Sequence, residues 1–191
     1  PVLHEEALER LALENDLRYA CDRQEFQAYY QPIFNLQSGD IFGFEALLRW
    51  HHPQRGWVSP SDFIPSIEET GLIDQIGEWV LEEACQQLKR WHQDWNLPLV
   101  MSVNLSVRQF AQPDFLDQVD RVLEMTGIEP KFLKLEITET ALMENSKSTL
   151  SILKQLKSRE IQISIDDFGT GYSSLSYLQT FPVDTLKIDR A

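Results

Sequence analysis

The chain has 191 residues, 42% of them hydrophobic and 25% charged, a composition that predicts one globular domain with a substantial core. No apolar run approaches the roughly 20 residues of a membrane span, and a net charge of −13 argues against a binding surface for nucleic-acid polymers. Cys21 and Cys85 lack the spacing of a metal site, so we interpret them as reduced thiols, which fits a cytoplasmic setting.

The first part of the chain predicts an antiparallel strand pair between helical segments. Helical spacing covers residues 3–22, and strands are predicted over 26–34 and 41–50. The turn between these strands is so short that the pair must be antiparallel. Ser-Pro-Ser-Asp at 59–62 predicts a helix start, because Ser and Pro are favoured at the first positions. A second helix follows from about Leu72, with an apolar stripe along one side.

Beyond Leu97 strand-like and helix-like segments alternate, which is typical of parallel βα units. The predicted strands cover 99–106, 132–138, 161–166 and 185–189, and the predicted helices lie near 114–126, 146–159 and 175–178. Together with the first pair, these segments predict six strands in a single α/β domain over residues 1–191.

Alternation along the predicted strands separates a polar face from an apolar face. Because successive side chains point to opposite faces, we expect the polar set to face a shared interior and the apolar set, including Leu186 and Ile188, to face helices. The polar set comprises Ser102, Asn104, Lys134, Glu136, Thr138, Ser164, Asp166, Lys187 and Asp189. Glu45 and Arg49 also share a face, which brings an acid and a cation together.

Four oxygen-bearing side chains lie near the ends of four strand-like runs: Glu45, Asn104, Glu136 and Asp166. A buried unpaired carboxylate costs several kcal/mol, so a fold that gathers several of them is usually holding a cation. Lys187 follows the same pattern with the opposite charge. Polar groups on several strand ends predict a metal-dependent active site at the mouth of a barrel.

A series of short motifs runs through nearly the whole chain. They are Tyr-Gln-Pro-Ile at 30–33, Glu-Ala-Leu-Leu-Arg-Trp at 45–50, Phe-Ile-Pro at 63–65, Glu-Thr-Gly-Leu at 69–72, Val-Asn-Leu-Ser at 103–106, Glu-Ile-Thr-Glu at 136–139, Asp-Asp-Phe-Gly-Thr-Gly-Tyr-Ser-Ser at 166–174 and Leu-Lys-Ile-Asp at 186–189. This ordered set resembles the EAL family of bacterial cyclic di-GMP phosphodiesterases. The resemblance implies a TIM-barrel-like (β/α)8 fold whose first strand is antiparallel to the others.

The resemblance also implies roles for individual residues. The implied ligands of one Mg2+ or Mn2+ ion are Glu45, Asn104, Glu136 and Asp166. Asp167 would bind a second ion, and Asp166 would bridge the two ions. Lys187 would orient or activate the attacking water, Arg49 would contact a phosphate, and Gln31 would lie beside the nucleotide. Glu139 would brace the loop after Asp166. The implied reaction opens cyclic di-GMP to linear pGpG.

The likeness stops short of the family's end. Family members continue through two further strands, with a Glu-Gly-Val-Glu-like segment for the second metal and a Gln-Gly-Tyr-like segment beside the guanine. We therefore expect a domain that lacks its last two βα units, with the first metal set complete and the second incomplete. A homodimer and fusion to sensory or cyclase-type domains are further expectations from the resemblance.

Three interpretations of function stay open at this point. The first is a metal-dependent cyclic di-GMP phosphodiesterase, and the second is a related module that binds cyclic di-GMP or regulates a partner without turnover. The third is an unrelated metal-dependent barrel enzyme with another substrate. Single residues have plainer alternatives: Lys187 as a surface lysine, Asp167 as a loop residue, and Arg49 as a counter-charge to interior carboxylates.

Overall fold

The strands form one twisted sheet in a computed structural model that describes residues 2–143, 146–169 and 180–189. The seven strands of this described part are β1 (Phe26–Phe34), β2 (Ile41–His52), β3 (Gly56–Val58), β4 (Val100–Leu105), β5 (Leu133–Thr138), β6 (Gln162–Phe168) and β7 (Thr185–Ile188). Their order is β1-β2-β4-β5-β6-β7, with β3 paired to β2. β1 and β3 are antiparallel to β2, whereas β2, β4, β5, β6 and β7 are mutually parallel.

Helices connect the parallel strands and cover the outer face of the sheet. They are α1 (Val2–Ala20), α2 (Pro60–Thr70), α3 (Leu72–Trp95), α4 (Val107–Phe110), α5 (Phe115–Thr126), α6 (Glu139–Met143) and α7 (Ser146–Ser158), with a turn of 3-10 helix at Pro130–Phe132. Among these described helices, none combines the length and the apolar composition that crossing a bilayer would require. The predicted α/β alternation and the antiparallel first strand pair are confirmed.

The core lies between the sheet and its helices, as the strand alternation predicts. Helix α3 buries Ile76, Ala84 and Leu88 on the side that packs against β1, β2 and β4. The outward residues of β4 and β5, including Met101 and Leu135, are fully buried in the same core. Burial of each large apolar side chain contributes roughly 1.5–3 kcal/mol, so this layer supplies most of the favourable free energy of folding.

Several local predictions are wrong. The described sheet has seven strands rather than six, because β2 runs to His52 and turns back into the short strand β3. The buried His52 ring fixes this turn, since its Nδ1 accepts the backbone N–H groups of Gln54 and Arg55 at 3.2 and 3.1 Å. The short helices α4 and α6 were also missing from the sequence-based description. The helix predicted at 175–178 lies outside the described residues.

The outer face of β7 differs from the prediction. Leu186 and Ile188 were expected to face helices, yet both are exposed, Ile188 to 81%. In the part of the chain that the structure describes, the main packing partner of β7 is the neighbouring strand β6. Strands β1 and β7 form the two edges of the described sheet.

Candidate active site

Three carboxylates from three strands converge on one point inside the sheet. Glu45 is on β2, Glu136 on β5 and Asp166 on β6, and one oxygen from each lies within 4.8 Å of the other two. Strand register produces this convergence, because Glu136 is level with Asn104 on β4 and Asp166 is level with Thr138 on β5. All three side chains project from the inner, polar face that the alternation predicted.

The ammonium group of Lys187 lies at the centre of this carboxylate cluster. Its Nζ donates to Glu45 Oε2 and to Asp166 Oδ2, both at 3.1 Å, and to Glu136 Oε2. The carboxylate of Glu136 is almost completely buried, whereas Lys187 is partly exposed. The cluster is therefore a position where the fold concentrates negative charge and accommodates one cation.

The pKa values of the cluster reflect burial and charge together. Burial by itself would lower the pKa of Lys187, but the hydrogen bond to Glu136 and the charges of Glu136 and Glu45 outweigh it, so the pKa of Lys187 is raised. Burial raises the pKa of Glu136, and the hydrogen bond from Lys187 opposes that shift. The geometry is that of an ammonium group whose positive charge compensates the three carboxylates around it.

Asn104 extends the cluster on the β4 side. Its Nδ2 donates to Glu45 Oε1 at 2.9 Å, so the amide and the carboxylate are held in fixed relative positions. The other carboxylate oxygen of Glu45 remains directed at Lys187. The amide oxygen of Asn104 is the atom that this side chain could offer to a cation.

Strand β6 has a strained backbone directly after Asp166. Asp167 has a φ of 54°, in the left-handed region that a non-glycine residue rarely adopts, and its N–H donates to Asp166 Oδ1 at 3.0 Å. The pairing of β6 with β7 shifts register at this position in the strand. Burial, followed by the negative charge of Asp166, raises the pKa of Asp167. Asp167 lies beside the cluster, which among the described residues comprises Glu45, Glu136 and Asp166.

Glu139 connects the start of helix α6 to the end of β6. Its side chain is buried, and Oε2 accepts the backbone N–H of Gly169 at 3.1 Å. This hydrogen bond fixes the chain three residues after Asp166. Residues 170–174, the remainder of the predicted glycine-rich loop, lie outside the described residues.

The structure brings Arg49 to the same cleft as the acidic residues. Asn104, Asp166, Asp167 and Arg49 all line a cleft of about 370 Å³. The guanidinium of Arg49 donates to the carbonyl of Leu48 at 2.9 Å, so it is held at the cleft wall rather than within the carboxylate cluster. Gln31 is exposed on β1, directly opposite Glu45 in the β1–β2 register.

Lys134 is a buried cation to which the sequence analysis assigned no role. Its Nζ donates to Thr185 Oγ1 at 3.2 Å and lies 5.2 Å from the centre of the Phe42 ring. Burial lowers the pKa of Lys134, while the charges of Glu136 and Asp184 act in the opposite direction. Lys134 therefore adds positive charge to the interior below the carboxylate cluster. The alternation of polar residues along β5, of which Lys134 is part, was the sequence pattern that could have indicated its place in the interior.

The donor set fits a hard divalent cation. Carboxylate and amide oxygens are the ligands that Mg2+ and Mn2+ prefer, and opposite ligands of one such ion lie about 4 Å apart. The carboxylate oxygens of the cluster already approach this spacing without rearrangement of the strands. The ammonium of Lys187 at their centre shows that the cavity holds positive charge.

Comparison with known proteins gives the family. The EAL domain family model matches residues 14–191. The bifunctional diguanylate cyclase/cyclic di-GMP phosphodiesterase MucR of Pseudomonas aeruginosa is 49% identical over 96% of this chain. The uncharacterized protein sll1895 of Synechocystis is 47% identical over 99% of it. A solved structure of the PaMucR phosphodiesterase in complex with c-di-GMP superposes with a TM-score of 0.90, at 47% identity over 93% of this chain.

The chain therefore belongs to the EAL domain family, and its sheet is the sheet of a TIM-barrel-like fold. EAL domains are metal-dependent, and the carboxylate cluster is the candidate metal position in this one. The chain spans about a quarter of each of these two curated relatives, 27% in both cases, and 72% of the solved PaMucR chain.

Proposed function

We propose that the chain carries the metal-dependent active site of a cyclic di-GMP phosphodiesterase that opens cyclic di-GMP to linear pGpG. The observation that carries this proposal is the convergence of Glu45, Glu136 and Asp166 around a single positive charge. Its relatives support the choice of substrate, because MucR is named for this activity and the PaMucR structure contains c-di-GMP. We further propose that the reaction takes place in the cytoplasm.

In this proposal Glu45, Asn104, Glu136 and Asp166 hold one Mg2+ or Mn2+ ion, and Asp167 contributes to a second. The bound metal supplies positive charge that offsets the phosphodiester and favours deprotonation of the attacking water. Asp167 is suited to this role because it follows Asp166 directly, with a left-handed backbone, and lines the same cleft. Glu139 acts indirectly, by fixing Gly169 and hence the end of strand β6, which carries both aspartates.

Lys187 and Arg49 have different electrostatic roles. Lys187 reaches all three carboxylates, so its ammonium can stay beside them and hold the attacking water by a hydrogen bond. Arg49 on the cleft wall offers a planar guanidinium for a phosphate oxygen. Gln31, exposed opposite Glu45, lies where it can contact the nucleotide. These side chains position the substrate phosphate for in-line attack.

A binding module without turnover is the second candidate. The observation favouring it is that, among the described residues, the carboxylate cluster provides ligands for one ion, while Asp167 stands apart from that cluster. A site that holds one ion can retain an anionic ligand without stabilising both the attacking and the leaving oxygen. Turnover separates the two candidates.

The test is chromatography of cyclic di-GMP after incubation with the chain and Mg2+ or Mn2+, with the Glu45→Ala variant as the control. The proposal expects linear pGpG from the unsubstituted chain and none from the control. Retained binding of cyclic di-GMP without product would favour the binding module. A phosphodiester other than cyclic di-GMP as the preferred substrate would contradict the proposed specificity.

A further inference from the structure

Lys134 connects two strands that do not pair with each other. The residue is 6% exposed, and its Nζ donates to Thr185 Oγ1 at 3.2 Å. Lys134 is on β5 and Thr185 is on β7, with β6 between them. A lysine is rarely buried without a specific partner, because burial removes the water around its ammonium group. The hydroxyl group of Thr185 replaces part of that hydration.

The contact between Lys134 and Thr185 repeats, one layer away, the contact between Glu136 and Lys187. Both contacts join residues that are 51 positions apart. On each strand the second residue of interest follows the first by two positions, so both lie on the inner face, about 7 Å apart. We call the hydrogen bond between Lys134 and Thr185 the lower rung, and the one between Glu136 and Lys187 the upper rung.

Strand tilt explains why both rungs cross β6 diagonally. Ser164 on β6 is level with Glu136 on β5 and with Thr185 on β7. Each rung therefore joins a residue of β5 to a residue about two positions further along β7, a stagger that is expected of tilted strands in a barrel. Ser164 is fully buried, and its small side chain leaves room for the two long lysine side chains to cross.

Strand β7 is held irregularly where it presents Lys187. Its ladder with β6 is regular as far as Leu186 and has shifted register by Ile188, so Lys187 lies within the irregular stretch. On the outer face Leu186 is 43% exposed and Ile188 is 81% exposed, so burial contributes little to holding that face. The lower rung ends at Thr185, two residues before Lys187, where it can fix the direction of the strand.

We propose that the lower rung positions the upper one: by holding β7 at Thr185, it directs the ammonium group of Lys187 at Glu136. Lys134 and Thr185 are then positioning residues for the proposed hydrolysis. The inference rests on the proposed function for the reaction that these residues serve. The coupling between the two rungs does not depend on that reaction and can be measured separately.

The plainer alternative is that Thr185 only satisfies a buried ammonium group. The start of β7 has an anchor of its own, because Asp184 Oδ2 accepts the N–H of Ile163 at 2.8 Å and both carboxylate oxygens accept from Lys157. If this anchor alone fixed the strand, loss of the lower rung would reduce stability without affecting Lys187. The two accounts therefore differ in whether the rungs are coupled.

A double-mutant cycle in the metal-free chain tests the coupling without turnover. Free energies of unfolding are measured by urea denaturation in EDTA for Thr185→Val, for Lys187→Met and for the double variant. Thr185→Val keeps the shape of the side chain and removes the acceptor. We expect the double variant to lose less than the two single losses added together, because Lys187 contributes less once the lower rung is absent. Additive losses would overturn the proposal.

Lys89→Met supplies the control for this cycle. Its Nζ donates to the carbonyl of Gly127 at 3.0 Å, a contact between α3 and the end of α5 in the outer layer of helices. Combined with Thr185→Val, it should give additive losses. Coupling of the same size in this pair would mean that Thr185→Val loosens the whole domain, which would also overturn the proposal.

Steady-state kinetics with cyclic di-GMP then tests the positioning role. We expect Thr185→Val to lower kcat about 10-fold or more with little change in KM, because displacement of Lys187 affects the attacking water more than substrate binding. Thr185→Ser should retain most of the activity, since its hydroxyl group can still accept from Lys134. Lys134→Met should match Thr185→Val, and combining the two should slow the reaction no further, because both remove the same hydrogen bond.

The outcomes separate the lower rung from the proposed function. If the chain hydrolyses cyclic di-GMP and Thr185→Val has an unaltered kcat, the positioning role is wrong and the function stands. If the chain hydrolyses nothing yet the cycle shows coupling between Thr185 and Lys187, the function fails and the coupling of the rungs stands. Equal losses of kcat in Thr185→Val and Thr185→Ser would contradict the positioning role, because the serine variant keeps the hydroxyl group.

Discussion

At Lys187, one ammonium group compensates carboxylates that three different strands contribute. The group is 31% exposed, so water screens it only in part, and its loss would leave Glu45, Glu136 and Asp166 facing one another. Removing one partner from a buried ion pair is costly because the remaining charges stay desolvated and repel each other. A divalent ion at the same position would relieve this repulsion.

Lys187→Met should therefore lower the free energy of unfolding by about 2 kcal/mol in EDTA, less than for a fully buried pair. In saturating Mg2+ most of that loss should vanish, because the ion takes over the compensation of the carboxylates. Urea denaturation in the two buffers measures the difference.

Lys157→Met is the matched control. Lys157 is also 31% exposed, but its Nζ pairs with both oxygens of Asp184, at 2.7 and 2.8 Å, outside the carboxylate cluster. Its effect should be the same with and without Mg2+. If Lys187→Met behaved like this control, the metal would not compensate the carboxylates that Lys187 contacts.

Helix α6 and strand β6 are joined by the hydrogen bond between Glu139 and Gly169. Because this bond fixes Gly169, two residues after Asp167, Glu139→Ala should displace the second aspartate by a fraction of an ångström or more. We expect kcat to fall about 10-fold or more, since small displacements of positioned groups reduce rates strongly. The affinity for the first Mn2+ ion should change little, and titration with Mn2+ measures it.

Glu139→Gln supplies the comparison for this prediction. The amide oxygen of Gln can still accept the N–H of Gly169, so activity should be largely retained. Glu129→Ala, which removes an exposed partner of Lys131, should have no effect on kcat. Equal losses in Glu139→Ala and Glu139→Gln would mean that the charge of Glu139, and not its hydrogen bond, matters.

Strands β2 and β4 approach closely at Gly43. A Cβ atom at this position would lie 2.2 Å from the carbonyl oxygen of Val100, so the two strands would have to separate. Gly43→Ala should cost about 2 kcal/mol of stability through overpacking. Because Glu45 follows two residues later and Asn104 lies on β4, the same change should weaken Mn2+ binding. Chemical denaturation and Mn2+ titration measure the two effects.

Gly39→Ala is the control for this prediction, because it introduces backbone strain without a clash between strands. Gly39 has a φ of +78°, but an added Cβ would meet nothing within 4 Å. The substitution should cost about 1 kcal/mol through strain alone and leave Mn2+ binding intact. Unaltered Mn2+ affinity in Gly43→Ala would show that the β2–β4 spacing does not set the geometry of the cluster.

For the molecule as a whole, the two free thiols report on different levels of unfolding. Cys85 is completely buried in α3, and burial raises its pKa to about 12, whereas Cys21 is partly exposed, and burial and the charge of Asp22 raise its pKa. The thiolate is the reactive form, so Cys85 should react with a thiol reagent at pH 8 only after global unfolding. Labelling followed by mass spectrometry should find Cys21 modified first. Equal labelling rates would contradict the packing described for α3.

Strand alternation and turn length were sufficient to predict the parallel units, the antiparallel first pair and the inner face that carries Glu136 and Asp166. They could not predict that Lys187 contacts Glu45, since the two are 142 residues apart and meet only through the curvature of the sheet. Strand β3 is three residues long and offers no alternation to detect. The left-handed backbone of Asp167 could not be predicted either, because Asp adopts this conformation only occasionally and the sequence does not mark where.

The most direct test of the central claim is the rate of cyclic di-GMP hydrolysis as a function of Mn2+ concentration, for the unsubstituted chain and for Glu136→Gln. Glu136 is the most buried carboxylate of the cluster, so water is least able to compensate for the loss of its charge. We predict a rate that saturates with Mn2+, vanishes in excess EDTA, and falls by at least 100-fold in Glu136→Gln. Hydrolysis that persists in EDTA, or that is unchanged in Glu136→Gln, would contradict a metal-dependent site at these carboxylates.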